Sequence, residues 1–382
     1  MMSAKKIVDE LKKKNINLFK SFIPNSSYNF KFKDIKNFKR FKTVVVIGMG
    51  GSILGTKAIY TFLKHKIKKN FIFIDNLDQK FLKKIKDENK LSQALFLTVS
   101  KSGNTTETII NLSFFKKFLK KSNVIILSEN KSNILSNFAK KNQFYFIKHN
   151  PFIGGRYSVF SEVGMLPILL MGLKPEKFKK NLPKLLNNKK ILSNSVKKIL
   201  KLYKKKSKVL ILFNYVPELN DFMFWCQQLL AESLGKNNKG FIPVISNAPK
   251  DHHSLLQLYL DGPKDKIFYV FSSRTMKNLK LNSSFLGDKA RYINKKNYQD
   301  IKLSQKNAFI QALKDNKTQF REIIIRKFDE DTIGKLFLLF IFETIAFSRI
   351  IKVNPFDQPA VEKVKILTKK FLISKKYSKK YF

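Results

Sequence analysis

A glutamate four residues after a glutamine, in an otherwise apolar run, is the first arrangement in this sequence suited to proton transfer. Gln228 and Glu232 lie in the stretch 222–234, and in a helix residues four apart share a face. A carboxylate near the end of such a helix is either exposed at the terminus or buried for a purpose. Burial would raise its pKa toward the range of a general base, and the C-terminal end of the helix dipole would push the same way. Read alone, Glu232 fits a surface carboxylate near a helix cap more readily than a base. Gly154-Gly155-Arg156-Tyr157-Ser158 places a cation in a tight turn. Arginine is scarce in this chain, and its fixed, permanently charged fork suits an oxyanion. A structural pairing of Arg156 with a carboxylate is the plainer alternative. In Asp251-His252-His253-Ser254, Asp251 is a plausible N-cap. Either histidine would then sit in a first helical turn, where the dipole favours the neutral imidazole that can relay a proton. These three potential ligands are consecutive and have no matching partner set elsewhere, so no metal is expected.

Two further loops suit a phosphate. Gly48-Met49-Gly50-Gly51-Ser52 follows the apolar run 43–47. Glycines there let the backbone turn sharply and approach a ligand, and a helix start beyond them offers free N–H groups to an anion. Ile53 stands where the third glycine of a dinucleotide fingerprint belongs, and Thr56-Lys57 does not complete a P-loop. A tight strand–helix turn explains this loop equally well. Ser100-Lys101-Ser102-Gly103-Asn104-Thr105-Thr106 carries more hydroxyls than capping needs, with Asn104 or Thr105 a suitable N-cap. Ser52, Ser100, Ser102 and Thr105 could converge on one phosphate. Near the C-terminus, Pro359 fits the first position of a helix, which would set Gln358, Glu362 and Lys365 on one stripe. A lysine in so lysine-rich a helix is by itself uninformative.

These residues need elements to position them. Short apolar runs at 43–47, 71–74, 94–99 and 124–127 alternate with helical stretches, the pattern of a buried parallel sheet with helices on both faces. A second alternation places strands at 208–213, 241–245, 267–271 and 321–325. Between the first two lies a helix over 222–234, ended by Gly235 as a left-handed cap. A long apolar helix is expected over 332–351, and a lysine-rich helical segment from about 175 to 206 joins the two units. The fold class is therefore α/β with two parallel-sheet units. We divide the chain into an N-terminal helical segment (1–40), a first α/β domain (41–190), a second (191–352) and a C-terminal helical segment (353–382).

Bulk properties set the outer limits. The 382 residues are 43% hydrophobic, enough for two domains with a substantial core. One cysteine, Cys226, permits no internal disulfide and favours a reducing compartment. The N-terminus lacks the apolar core of a secretory signal, and the longest apolar stretch, 336–341, is too short to span a bilayer. A soluble, cytoplasmic protein is expected. The formal charge of +49 is nearly all lysine and is spread along the chain. Nucleic-acid readers lean on arginine as well. Lys, Asn, Ile and Phe share A/T-rich codons, so base composition explains the excess better than a nucleic-acid face.

Taken in order, IGMGGSILG, SKSGNTTET, GGRYSVFSEVG, QQLLAESLGK, DHHSLLQL with LDGP, and DQPAVEKVK resemble the motifs of the phosphoglucose isomerase family, from about residue 43 to 366. The resemblance implies two sugar-isomerase (SIS) domains, each an α/β/α sandwich, and interconversion of glucose 6-phosphate and fructose 6-phosphate without a cofactor. It implies Glu232 as the base moving a proton between C1 and C2, and Arg156 as the stabiliser of the cis-enediolate. It implies His253 as the ring-opening group and Lys365 as its assistant. Ser52, Ser100, Lys101, Ser102 and Thr105 match the phosphate loops, and Gly51, Gln228 and Gln358 the pocket lining. It also implies a homodimer whose active site lies at the interface, with the histidine donated across it. Ala360 and Val364 replace two glycines of the family's last motif, which leaves Lys365 the least secure assignment, with Lys363 beside it but off the stripe. The other readings are a bifunctional phosphoglucose/phosphomannose isomerase and a sugar-phosphate sensor that binds nucleic acid. The sensor would have no need of Glu232 and His253.

Overall fold

A computed structural model describes residues 6, 9, 10, 13, 16–24, 26–88, 90–203, 207–274 and 279–374. Two all-parallel sheets organise it. The first has strands β1 (Thr43–Gly48), β2 (Asn70–Ile74), β3 (Ala94–Val99), β4 (Val124–Ser128) and β5 (Tyr145–Lys148), in the order β2-β1-β3-β4-β5. The second has β6 (Val209–Asn214), β7 (Ile242–Asn247), β8 (Lys266–Ser273) and β9 (Gln319–Ile325), in the order β7-β6-β8-β9. Parallel neighbours require crossovers, which the intervening helices supply. All six residues of β3 are buried, which is why the central strands read as unbroken apolar runs rather than as alternation.

The strand order reverses between β1 and β3, and again between β6 and β8. At such switch points the loops leaving the carboxyl ends of the strands diverge and open a crevice. The register pairs Gly48 with Val99, so the two hydroxyl- and glycine-rich loops leave adjacent strand ends side by side.

The Asn220–Leu234 helix packs on β7 and on two helices. One side meets the Leu54–Phe62 helix: Thr61 Oγ1 donates to the Asp221 carboxylate, and a Cβ added at Gly55 would lie 3.8 Å from the Trp225 ring. The other side meets the Glu330–Ile350 helix, where Phe337 packs edge-on against Trp225 at 4.6 Å between centroids. Glu330–Ile350 is buried on nearly every face, as its unbroken apolarity requires.

Several local expectations differ from the observed elements. Strand β5 is an edge strand of four residues with one buried position, too little periodicity to announce itself. Gly235 is not left-handed, with φ −75° and ψ 70°. A side chain there would meet the Ala231 carbonyl at 2.7 Å, so close approach explains the glycine. Asp251 does not cap a helix: it lies inside the turn Lys250–His252, and the next helix is Leu256–Leu260 with Leu255 at its N-cap. The lysine-rich connection forms three helices, Pro175–Lys179, Leu182–Asn187 and Lys189–Tyr203. Its end at 204–206, much of the helical segment expected before residue 16, and residues 375–382 lie outside the described residues. Among the described residues no helix is long and apolar enough to cross a membrane.

Candidate active site

The crevice is built around Arg156, whose side chain is 3% exposed. It sits in the turn Gly155–Phe160, directly after β5 and its following loop. All its guanidinium N–H groups point to acceptors. Nε donates to Ser233 Oγ at 2.9 Å. Nη1 donates to Glu232 Oε2 at 2.9 Å and to Gln358 Oε1 at 2.8 Å. Nη2 donates to the Pro355 and Asp357 carbonyls at 2.5 and 3.0 Å. A fork held at every tine is pre-organised, which is what an oxyanion stabiliser needs.

Glu232 lies on the last turn of the Asn220–Leu234 helix with 31% of its side chain exposed. Its Oε1 accepts from Gln228 Nε2 at 3.0 Å, the i,i+4 contact that the spacing implied. Each carboxylate oxygen therefore has one partner on the protein and a lone pair to spare. Partial exposure leaves that lone pair open to a ligand.

The first glycine loop closes one wall. Gly50 has φ +53°, and a Cβ there would stand 2.5 Å from Gln228 Nε2. A Cβ at Gly51 would lie 2.1 Å from the Gly155 carbonyl carbon and 2.4 Å from Arg156 N. Only glycine lets the β1 loop press directly on the backbone that carries Arg156. Ser158 Oγ sits at the contact, donating to the Gly155 carbonyl at 2.6 Å and lying 3.3 Å from the Gly51 carbonyl. Ser52 sits beneath, its Cβ 3.2 Å from the position a Gly48 side chain would take.

In the neighbouring loop, Ser100 Oγ and Thr105 Oγ1 are 2.8 Å apart. Thr105 is the N-cap residue of Thr106–Phe114, but its hydroxyl makes no cap bond. It is paired with Ser100 instead. Ser102 is exposed. The Lys101 ammonium turns away from the hydroxyls to the Pro151 and Ile153 carbonyls, at 2.7 and 3.2 Å. It thereby ties this loop to the segment leading into Arg156.

The two histidines separate clearly. His252 stacks on Phe213 at 5.7 Å, and its Nε2 lies 2.7 Å from Tyr215 Oη. Desolvation by burial, and then the neighbouring His253, lowers its pKa. His253 is exposed. The Asp251 carboxylate organises the turn, accepting from Asn247 N, Ser246 Oγ and Ser254 Oγ. Lys365 is exposed on the Pro359–Ile373 helix and pairs with Glu362 at 2.7 Å. Arg156, Glu232, Gln228 and Gln358 are thus brought together by hydrogen bonds, with Gly51 against them. Among the described residues, no hydrogen bond joins His253 or Lys365 to that cluster. No group of three or more His, Cys, Asp or Glu there could hold a metal ion.

Sequence reading missed Ser233, Tyr157 and the carbonyls of 355 and 357. Tyr157 is fully buried, and burial, only partly countered by Arg156, pushes its phenol up, so it stays protonated. Its hydroxyl donates to the Pro355 carbonyl at 3.0 Å and takes the Ser233 proton at 2.8 Å. Ser233 Oγ is then free to accept from Arg156. Ser233 and Tyr157 adjoin singled-out residues, which is the only signal the sequence offers; a carbonyl acceptor has no residue signature.

Residues 7–381 match the family model described as phosphoglucose isomerase. A glucose-6-phosphate isomerase from Methanocaldococcus jannaschii is 34% identical over 352 residues, covering 88% of this chain and 86% of the relative. One from Campylobacter jejuni is 28% identical over 97% of this chain and 95% of its own. Among solved structures, a hypothetical protein from Thermus thermophilus superposes with a TM-score of 0.86 at 23% identity, covering 97% of this chain and 94% of that one. A glucose-6-phosphate isomerase from Chlamydia trachomatis superposes with 0.73 at 20% identity, covering 94% and 73%. These two likenesses speak to fold.

Proposed function

Because the chain belongs to the phosphoglucose isomerase family, we propose that it interconverts glucose 6-phosphate and fructose 6-phosphate, as a step of glycolysis and gluconeogenesis in the cytoplasm. The observation that carries this reading is the Arg156 fork, which bonds the Glu232 carboxylate at 2.9 Å while the glycine loop after β1 presses on its backbone. Aldose–ketose isomerisation needs a base and a cation within reach of the same two carbons.

The proposed sequence starts with the phosphate, held by the hydroxyls of Ser52, Ser100, Ser102 and Thr105 and by the Lys101 backbone. Its anchoring supplies binding energy that orients the remote carbons. His253 opens the ring by transferring a proton to the ring oxygen as the C1–O5 bond breaks and the C1 hydroxyl gives up its proton to solvent, with Lys365 assisting. Glu232 then takes the proton from C2 of the aldose. Negative charge develops on the carbonyl oxygen and is offset by the positive charge of Arg156, with an Nη1 N–H reaching that oxygen only by leaving Glu232 or Gln358. The O2 hydroxyl proton passes to O1 and Glu232 returns its proton to C1, giving the ketose; the reverse direction uses the same groups. Gln228 steadies the carboxylate, and Gln358 and Gly51 line the pocket. No cofactor takes part in this scheme.

We further propose a homodimer with His253 donated across the interface. The exposure of His253, and of every residue of the Pro359–Ile373 helix that bears Lys365, supports it. A coupled assay comparing fructose 6-phosphate with mannose 6-phosphate tests the substrate assignment. Turnover of fructose 6-phosphate at least about a hundredfold faster than mannose 6-phosphate is expected, the scale at which a site built for one hydroxyl arrangement discriminates. Comparable turnover of both would point to a bifunctional isomerase, and turnover of neither would remove the reading.

A further inference from the structure

Segment 354–358 supplies three of the five Arg156 contacts: the Pro355 and Asp357 carbonyls and Gln358 Oε1. Yet this segment has little packing of its own. Asn354, Phe356 and Asp357 are exposed, and only Pro355 is buried. A short turn ties it internally, with Phe356 N donating to Asn354 Oδ1 at 3.1 Å and Asn354 Nδ2 to Asp357 Oδ2 at 3.0 Å. Phe356 rests on the Tyr157 ring at 5.4 Å. Besides Arg156 and Tyr157, which bond it from one side, the loop after the Glu232 helix fastens it from the other. The Lys236 ammonium donates to the Asn354 carbonyl, donates to the Ser233 carbonyl at 3.2 Å, and pairs with the Asp357 carboxylate at 3.1 Å. Lys239 donates to the Ile351 carbonyl at 2.9 Å.

We propose that Lys236, reinforced by Lys239, is a positioning residue that clamps segment 351–357 onto the end of the Glu232 helix and so fixes the acceptors that aim Arg156. The inference rests on the isomerase reading for its kinetic consequence but not for the clamp itself. An ammonium has three N–H donors, and those of Lys236 meet two carbonyls and one carboxylate. None remains for a substrate, and its side chain is only 12% exposed. The same ammonium bonds residue 233, next to the proposed base, and residues 354 and 357, on either side of a carbonyl that holds the proposed cation. It therefore sets the distance between base and cation.

The test replaces Lys236 with Met, which keeps length and removes charge and donors, and with Arg, which keeps both. Steady-state kinetics with fructose 6-phosphate are measured alongside inhibition by inorganic phosphate and amide hydrogen exchange across 354–358. Misplacement by about 1 Å costs on the order of 10²-fold. Lys236→Met should therefore lower kcat at least about tenfold, leave KM and the phosphate inhibition constant within about threefold, and speed exchange at Phe356. Lys236→Arg should recover most of kcat. A smaller fall in kcat, or a weakened phosphate constant, overturns the positioning role. Unchanged exchange overturns the clamp whatever the activity. If Lys236→Met does not fold, Lys239→Met is read by the same exchange, with the same two outcomes. Failure of the isomerase reading shows up separately, as an inactive wild type with the exchange effect intact.

Discussion

One guanidinium with every donor assigned accounts for most of the geometry at the residue scale. Arg156 touches the proposed base, a pocket glutamine, a serine and two carbonyls, so any shift of its backbone is transmitted to all of them. That makes Gly51 a sensitive position without chemistry of its own. A Cβ there meets backbone rather than a flexible side-chain end, so residues 155–156 must retreat. We expect Gly51→Ala to lower kcat/KM by about 10²-fold, measured by steady-state kinetics; unchanged kinetics would mean the two turns do not set the site. Arg156 and Glu232 stood out in the sequence, one by its rarity beside two glycines and the other by its spacing from Gln228, but their proposed roles came from the family resemblance. Their direct bond was not legible, because residues 156 and 232 meet only through the packing of two sheets. The acceptors at 355 and 357 were invisible for a simpler reason: any residue presents the same carbonyl.

At the scale of elements, the site exists because the Asn220–Leu234 helix carries Gln228 and Glu232 to the loop after β1 and the turn after β5. Strands β1 and β3 were legible as unbroken β-branched and apolar runs, since both faces of each are covered. Strand β5 was not, and its end carries a further consequence. His149 follows it directly, 2% exposed, with its N–H donating to the Ser128 carbonyl at 2.8 Å and its Nδ1 2.8 Å from the Asn150 carbonyl. Burial pushes its imidazole down from 6.5 to about 4; the Asn150 bond and Glu129 act in the opposite sense, and Lys101 adds to the lowering. Between those values the unfolded chain binds the proton and the folded chain does not, so stability rises with pH there. The contribution is complete above about pH 6.5 and is lost as pH falls toward 4. It amounts to about 3 kcal/mol at 1.36 kcal/mol per pKa unit. Urea unfolding should show the wild type losing about that much more than His149→Gln between pH 7 and 4; parallel losses would mean His149 is protonated in the fold.

At the scale of the whole molecule, the Pro359–Ile373 helix buries none of its residues, although it carries Val361, Val364, Ile366 and Leu372 at 42–70% exposure. Contiguous exposed apolar surface of this kind marks an interaction site. The proposed homodimer would cover it. Sedimentation should give twice the 44.6 kDa chain mass, and Val364→Glu with Leu372→Glu should yield monomers with reduced isomerase activity. A wild-type monomer with full activity would contradict donation of His253 across an interface. The sequence marked the helix start through Pro359 but not its isolation, because exposure depends on neighbours that no local pattern encodes. The charge of +49 was legible as a number, spread along the chain; around the proposed phosphate loops a positive field would raise local substrate concentration.

If Glu232 moves the proton between C1 and C2, its replacement must slow solvent exchange at those carbons. Deuterium incorporation into fructose 6-phosphate in D₂O, followed by NMR, compares wild type with Glu232→Gln. The amide keeps the shape and the Gln228 contact but cannot accept the proton. Exchange slowed by about 10²–10⁴-fold, with sugar-phosphate binding retained, is the expected result. Exchange at the wild-type rate in that variant would contradict it.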